Sequence, residues 1–218
     1  MTGVFVTATG TEIGKTYVTS LLCRHYAKAG MSIRALKPVL SGYEPPQAAV
    51  SDSGVILSTL GCAVDEDAVA AITPWRFRAP LSPDMAAARE GRAIDFAALV
   101  EFCRPGDEDM LIVEGVGGAM VPLTETKTVL DWITALELPA LVVAGSYLGT
   151  ISHTLTTVAA MRVRNVAVAG VVVSESESEP VPLSETVETI GRFLPEMKVV
   201  GLPRGAADGA EIAALIAS

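Results

Sequence analysis

A short apolar run, Val4, Phe5 and Val6, leads into the segment Ala8-Thr9-Gly10-Thr11-Glu12-Ile13-Gly14-Lys15-Thr16, and an amphipathic stretch follows over residues 17–29. This order of strand, glycine-containing loop and helix constrains the fold more than any other part of the chain. The strand needs cover, and the helix starts with unpaired backbone N–H groups aimed back at the loop. Such N–H groups converge on an anion at a helix N-terminus. Lys15 can carry a cation to terminal phosphates, and the Thr16 hydroxyl can ligate Mg2+. The general pattern for such loops has glycine five residues before Gly14, where this chain has Thr9; the nearest glycine is Gly10.

Strand-like and helix-like segments alternate along the rest of the chain, which predicts an α/β fold with a mainly parallel sheet. Strands are expected at 4–7, 33–38, 110–114, 140–144, 166–174 and 199–202. Their unbroken Val/Ile/Leu character fits strands covered on both faces. Helices are expected at 16–29, 82–91, 95–104, 128–135, 150–164, 184–193 and 210–217. Gly30 and Gly91 provide C-terminal stops, and Ser82-Pro83 is an N-terminal start. No internal repeat or linker is visible, so residues 1–218 are expected to form a single domain. The polar stretch 174–182, SESESEPVP, is expected to be a solvated loop, and 42–53 an irregular, mobile one.

With half the residues hydrophobic and only 19% charged, the chain is globular rather than disordered. A net charge of -9 with no Lys/Arg run argues against a general nucleic-acid binder. The longest apolar run, 138–151, is broken by Pro139, Gly145 and Gly149 and is too short for a membrane span. The N-terminus lacks the pattern of a signal peptide. The three cysteines, Cys23, Cys62 and Cys103, show neither disulfide nor zinc spacing and are expected to be small buried hydrophobes. A reduced, cytoplasmic protein is expected.

Ligands of open parallel sheets sit beyond the carboxyl ends of the strands. After the second expected strand come Lys37 and Ser41, and after the third come Glu114 and the turn Gly115-Val116-Gly117-Gly118. Asp52 lies in the polar segment Ser51-Asp52-Ser53. Thr16, Asp52 and Glu114 would supply three oxygens, a partial shell for Mg2+, which also keeps waters and phosphates. Each has a plainer alternative. Asp52 also suits a first-turn helix charge, Lys37 a solvated strand-end lysine, and the glycines a tight chain reversal. His25 and His153 are expected to be structural or solvent-facing, and Trp75, Phe77 and Trp132 to fill the core. No nucleophilic triad stands out.

Taken in order, ATGTEIGKT, LKPVLSG, the isolated Asp52, RAPLSP, VEGVGG and YLGTISHT resemble the ATP-dependent dethiobiotin synthetases over nearly the whole chain. The displaced loop glycine is itself a mark of that family. The resemblance implies a three-layer P-loop NTPase-like fold, a sheet flanked by helices. It implies a carbon–nitrogen ligase of biotin biosynthesis that closes the ureido ring of dethiobiotin from 7,8-diaminononanoate, CO2 and ATP, with Mg2+. By resemblance, Lys15 and Lys37 are catalytic, and Thr11 and Ser41 touch the substrate. Thr16, Asp52 and Glu114 hold the metal. Glu12, Ile13, Gly14, Lys15, Thr16, Tyr17, Asp52, Glu114, Gly115, Val116 and Gly117 bind the nucleotide, with Ser174, Glu175, Pro203, Arg204 and Gly205 on its base side. The resemblance also implies a homodimer, in which Gly149, Thr150 and Ile151 take the tail carboxylate of the neighbouring subunit's substrate.

This sequence departs from the family pattern at a few positions. Ala8 replaces a loop glycine, Ser174-Glu175 stands where Asn-Asp is usual, Ser152 replaces Asn and Tyr147 replaces Lys. A serine offers one short rotor where asparagine presents a fixed donor and acceptor, so a relaxed choice of nucleotide is expected. Two other readings remain open. A cobyrinate diamide synthase would need a further glutaminase domain, for which the chain has no length. A partitioning-type ATPase switch would carry a lysine early in the loop, and residues 8–13 contain none.

Overall fold

The computed structural model describes residues 2–217; Met1 and Ser218, the ends of the expected domain, lie outside the described residues. The elements run β1 (Thr2–Ala8), α1 (Lys15–Lys28), β2 (Ile33–Leu36), β3 (Val39–Ser41), a 3-10 helix (Pro45–Val50), α2 (Asp52–Thr59), α3 (Glu66–Ile72), β4 (Trp75–Phe77), α4 (Pro83–Arg89), α5 (Phe96–Phe102), β5 (Met110–Glu114), α6 (Val129–Leu136), β6 (Ala140–Gly145), α7 (Thr150–Val163), β7 (Val168–Ser174), α8 (Leu183–Phe193), β8 (Val199–Leu202) and α9 (Ala210–Ile216).

Six strands form one sheet in the order β2-β5-β1-β6-β7-β8, and every pairing in it is parallel. Successive side chains of a strand point to opposite faces, so each central strand feeds two cores. Val4, Val6, Ile112 and Val143 pack with Val18, Leu21 and Leu22 of α1 and Ile212 of α9. Phe5, Val113 and Val142 pack with Leu99 of α5, Trp132 of α6, Val158 of α7 and Ile190 of α8. The result is three layers, helix, sheet and helix. Trp132 meets Phe5 edge to face with ring centroids 4.8 Å apart.

The second strand ends earlier than the sequence suggests. Pro38 has no N–H to donate, so the chain leaves the main sheet at Lys37. Val39–Ser41 then pairs with Trp75–Phe77 in a separate two-stranded parallel sheet. Neither short strand was expected. The region 42–53, expected to be irregular, contains the 3-10 helix and the start of α2. Ser51 caps α2 by accepting from the Gly54 N–H, which makes Asp52 the first helical residue. Cys23 and Cys103 are buried, and burial first of all pushes both thiols up to about 12; Cys62 is exposed, contrary to expectation. Phe77 and Trp132 are buried and Trp75 is half-buried against the core. His25 is half-buried and His153 is exposed.

Gly54 fixes how closely α2 packs on the 3-10 helix. A Cβ there would lie 2.9 Å from the backbone carbonyl carbons of both Ala48 and Ala49. Alanine gains about 1 kcal/mol of helix propensity over glycine. Overpacking against backbone costs about 1–3 kcal/mol and prevails. The expected result for Gly54→Ala is a net loss of stability in urea unfolding, with Asp52 displaced. A variant as stable as the parent would show that the two segments part without cost.

Candidate active site

The phosphate-type loop closes β1 and opens α1. Gly14 is the N-cap of α1 at φ +101°, with no side-chain cap, so the first N–H groups of the helix are left for a ligand. Only glycine takes this conformation freely, and a Cβ at Gly14 would lie 2.8 Å from Ser174 Oγ. Glu12 adopts φ +59°, which costs a non-glycine residue about 1–2 kcal/mol. The Gly115–Gly118 turn supports the loop from below. Gly118 lies so near it that a Cβ would come within 3.2 Å of the Gly10 nitrogen, and the Ala119 N–H donates to Ala8 O at 3.1 Å. The Ala8 methyl is wholly buried at the end of β1 and belongs to the α1-side core.

Four elements deliver one charged cluster. Thr16 comes from α1, Asp52 from α2, Glu114 from the end of β5 and Lys37 from the residue after β2. Lys37 Nζ lies 2.7 Å from Glu114 Oε1, 2.8 Å from Asp52 Oδ2 and 3.0 Å from Gly115 O. Thr16 Oγ1 lies 2.9 Å from Asp52 Oδ1 and 2.8 Å from Glu114 Oε1. Lys37 is 1% exposed and Glu114 fully buried. Burial alone would lower the Lys37 ammonium, but the charges and hydrogen bonds of Glu114 and Asp52 outweigh it and raise it. Burial would likewise raise the Asp52 carboxyl, but Lys37, then Thr16, outweighs that and holds it below the usual carboxylate range.

Lys15 differs from Lys37 because, among the described residues, no carboxylate pairs with it. Its Nζ donates to Gly10 O at 3.3 Å. Burial first, then the charge of Lys37, lowers it from 10.5 to about 8 against the pull of Glu114 and Asp52. Below pH 8 this buried charge opposes folding in full, and its cost fades between pH 8 and 10.5 as the folded protein loses the proton first. A bound phosphate would offset the same cost.

Two cavities flank the loop. The larger, about 720 Å³, is lined by Thr11, Lys15, Thr16, Lys37, Ser41, Asp52, Val116 and Gly117, among others. The second, about 590 Å³, is lined by Glu12, Ile13, Gly14, Tyr17, Ser174, Glu175, Ser176, Glu177, Arg204 and Gly205. Glu12, Ile13 and Gly14 line both and so connect them.

The donor set favours a hard cation that keeps open coordination positions. Among the described residues no group of three or more His, Cys, Asp or Glu is placed to hold a metal. Two carboxylates and a hydroxyl instead converge, and the buried Glu114 Oε2 has no hydrogen-bond partner. These oxygens could hold a hard cation such as Mg2+, with water and phosphate oxygens to fill the rest of its shell.

The family model described as "AAA domain" matches residues 2–204. An ATP-dependent dethiobiotin synthetase of Acidiphilium cryptum is 53% identical over 198 residues, covering 89% of this chain and 89% of its own. One from Methylobacterium nodulans is 45% identical over 219 residues, covering 97% of each. The chain belongs to the dethiobiotin synthetase family. The MinC:MinD cell division protein complex of Aquifex aeolicus superposes with a TM-score of 0.53 at 13% identity, over 92% of this chain and 81% of that one. That likeness shows the P-loop NTPase-like fold alone.

Some residues that the synthetase family resemblance marks lie away from the cavities. Glu114 and Gly115 line neither; the Glu114 side chain is buried and reaches Thr16 and Lys37. Pro203 lines neither, while its neighbours Arg204 and Gly205 line the second. Gly149, Thr150 and Ile151 open α7 and also line neither. Thr150 Oγ1 is engaged, donating to Gly145 O at 2.7 Å. His153 pairs with Tyr147 through a 2.9 Å hydrogen bond.

Sequence reasoning missed Ser176 and Glu177, which belong to a stretch read as solvated loop. Glu177 Oε1 accepts from Arg204 Nη2 at 3.0 Å, and Glu175 Oε2 accepts from the Arg204 N–H at 2.7 Å. The available signal was position, since both residues follow directly from the carboxyl end of β7. Residues 80–83 were also missed as a wall of the larger cavity; they do belong to the motif RAPLSP.

Proposed function

We propose that this chain, acting as one domain, is an ATP-dependent dethiobiotin synthetase whose larger cavity takes 7,8-diaminononanoate and whose second cavity takes the nucleoside end of ATP. The single observation that carries this reading is the junction between the cavities. Gly14 lines both cavities there, and Lys15 and Thr16, next in the chain, line the larger one beside the Lys37–Asp52–Glu114 cluster, so a γ-phosphate at the helix N-terminus would face the substrate cavity.

One amine of the substrate adds to CO2, forming an N–C bond and losing a proton to give a carbamate. A carbamate oxygen then attacks the γ-phosphorus, and ADP leaves. The second amine attacks the carbamoyl carbon, closing the ring, losing a proton and expelling phosphate. No protein nucleophile is required, since phosphoryl transfer depends mainly on positioning and charge neutralisation. Lys15 and Lys37 provide the charge, and Thr11 and Ser41 orient the diamine. Ser41 Oγ is buried without a partner of its own, which suits a hydroxyl that bonds to substrate. Thr16, Asp52 and Glu114 would hold Mg2+, which neutralises the β- and γ-phosphate oxygens when bound.

The reading includes a cytoplasmic homodimer. Its three free cysteines suit a reducing compartment, and no helix among the described residues is long and apolar enough to cross a membrane. The backbone N–H groups of Gly149 and Ile151, on either side of a Thr150 N–H that donates to Tyr147 O at 3.1 Å, suit a carboxylate from a second copy, since this segment opens a helix and lines neither cavity of its own chain.

The test mixes purified protein with 7,8-diaminononanoate, Mg-ATP and bicarbonate, omits each in turn, and follows dethiobiotin by mass spectrometry. Product that needs every component is expected. ATP hydrolysis that ignores the diamine would overturn the reading and leave a nucleotide switch. Nucleotide choice is expected to be relaxed. The base cavity presents Ser174, two carboxylates and Arg204 in place of a fixed amide. Turnover with GTP, CTP and UTP is expected within about tenfold of ATP, the loss of roughly one hydrogen bond; strict ATP dependence would count against this.

A further inference from the structure

We infer that Lys37 is the resident counter-cation of the metal site, and that a divalent ion enters only by displacing it, together with the nucleotide. This rests on the reading of Thr16, Asp52 and Glu114 as metal ligands. An ammonium group has three N–H donors and no more. In this structure Asp52 Oδ2, Glu114 Oε1 and Gly115 O take one each, at 2.8, 2.7 and 3.0 Å. No donor is left for a carbamate or a phosphoryl oxygen. Lys37 lines the larger cavity with Thr11 and Ser41, yet its charge is directed into the carboxylates. It can act on a reacting group only after giving up at least one of these partners.

Charge balance identifies what releases it. Lys15, Lys37, Asp52 and Glu114 sum to zero formal charge in a largely buried site. A divalent cation added alone would leave two uncompensated positive charges at low dielectric, which is strongly unfavourable. A cation that arrives with a polyphosphate brings its own balance. It can then take the Asp52 and Glu114 oxygens, including the unpartnered Glu114 Oε2, while Lys37 turns toward the cavity. Metal binding would thus be conditional on nucleotide, and the lysine would be freed only when phosphates are present to meet it.

The experiment measures Mn2+ affinity by electron paramagnetic resonance on nucleotide-free protein, with no diamine and no turnover. Wild type is expected to bind weakly, and Lys37→Met roughly tenfold or more tightly, since its carboxylates have lost their ammonium. Lys15→Met is the control. It removes an equal charge nearby that touches neither carboxylate, and it is expected to change affinity by less than about threefold. Mn2+ is also expected to raise the melting temperature of Lys37→Met and not of wild type. Equal affinity in Lys37→Met and wild type overturns the inference, as does an equal gain in both variants, which would reduce it to net charge. Mn2+ binding to wild type with a non-hydrolysable ATP would, in those cases, leave the metal ligands standing. Absence of binding in every state overturns both. Should Lys37→Met not fold, wild type labelled with 15N-lysine carries the test. The Lys37 ammonium resonance is expected to ignore Mg2+ alone and to move on Mg2+ with the analogue; a signal that both leave unmoved overturns the inference.

Discussion

Lys37→Ala is expected to lower dethiobiotin turnover by about 10²–10³-fold, the range for losing one charged donor to a developing anion. The dissociation constant of a Mg-nucleotide analogue is expected to stay within a few-fold of wild type. The two readouts are expected to separate because Lys37 lines the larger cavity, proposed for the diamine, and not the second, proposed for the base; once released from its carboxylates it would meet the transferring group rather than the nucleoside. Two effects on nucleotide binding also oppose each other. Removing the ammonium would lose an attraction to phosphate, but under the proposed displacement it would also remove the cation that the metal has to replace at Asp52 and Glu114. A parallel fall in turnover and nucleotide affinity would make Lys37 a general binding residue. Folding is checked by circular dichroism in the same samples, because the Lys37→Ala change would leave the buried Glu114 carboxylate without its closest cation.

The strands of the central sheet were legible because a strand covered on both faces must be apolar throughout. Residues 4–6, 110–113 and 140–144 show this and lie at the centre of the sheet. The chain from Lys37 to Phe77 was much less legible. Val39–Ser41 and Trp75–Phe77 are only three residues each, too short for any alternation to register, and each is defined by a partner far along the chain. The 3-10 helix and α2 begin in a stretch rich in proline and serine, whose local signals favour turns. Residues Glu66–Ile72 form a helix of two turns, too brief to show a period. The candidate site was legible where its residues sit at or just beyond the carboxyl end of a strand, as with Glu114 and Lys37. Asp52 admitted two readings, helix-start charge or site residue, and its position accommodates both. It opens α2 and also reaches Thr16 and Lys37. The three N–H donors of Lys37 all being engaged could not be read from sequence, since it depends on distances among four separate elements.

Glu114→Leu is expected to cost about 3–5 kcal/mol in urea unfolding, the usual penalty for stranding one member of a buried ion pair. Lys37 would then sit nearly inaccessible with only the partly exposed Asp52 and a carbonyl oxygen as partners. The lower end of that range is expected because Asp52 remains. The double variant Glu114→Leu/Lys37→Met provides the sharper test. Apolar residues of similar volume commonly replace a buried pair at little cost, because the desolvation of both charges is removed along with their attraction. Most of the lost stability is therefore expected to return in the double variant. Activity is expected to stay absent, since the double variant lacks both the carboxylate proposed to hold the metal and the ammonium proposed to stabilise transfer. Recovery of folding without recovery of catalysis would assign this pair to function, with stability as a constraint that it satisfies. If the double variant remained as unstable as Glu114→Leu, the ion pair would itself be what holds β2, β5 and α2 together, and its catalytic use would be secondary to that.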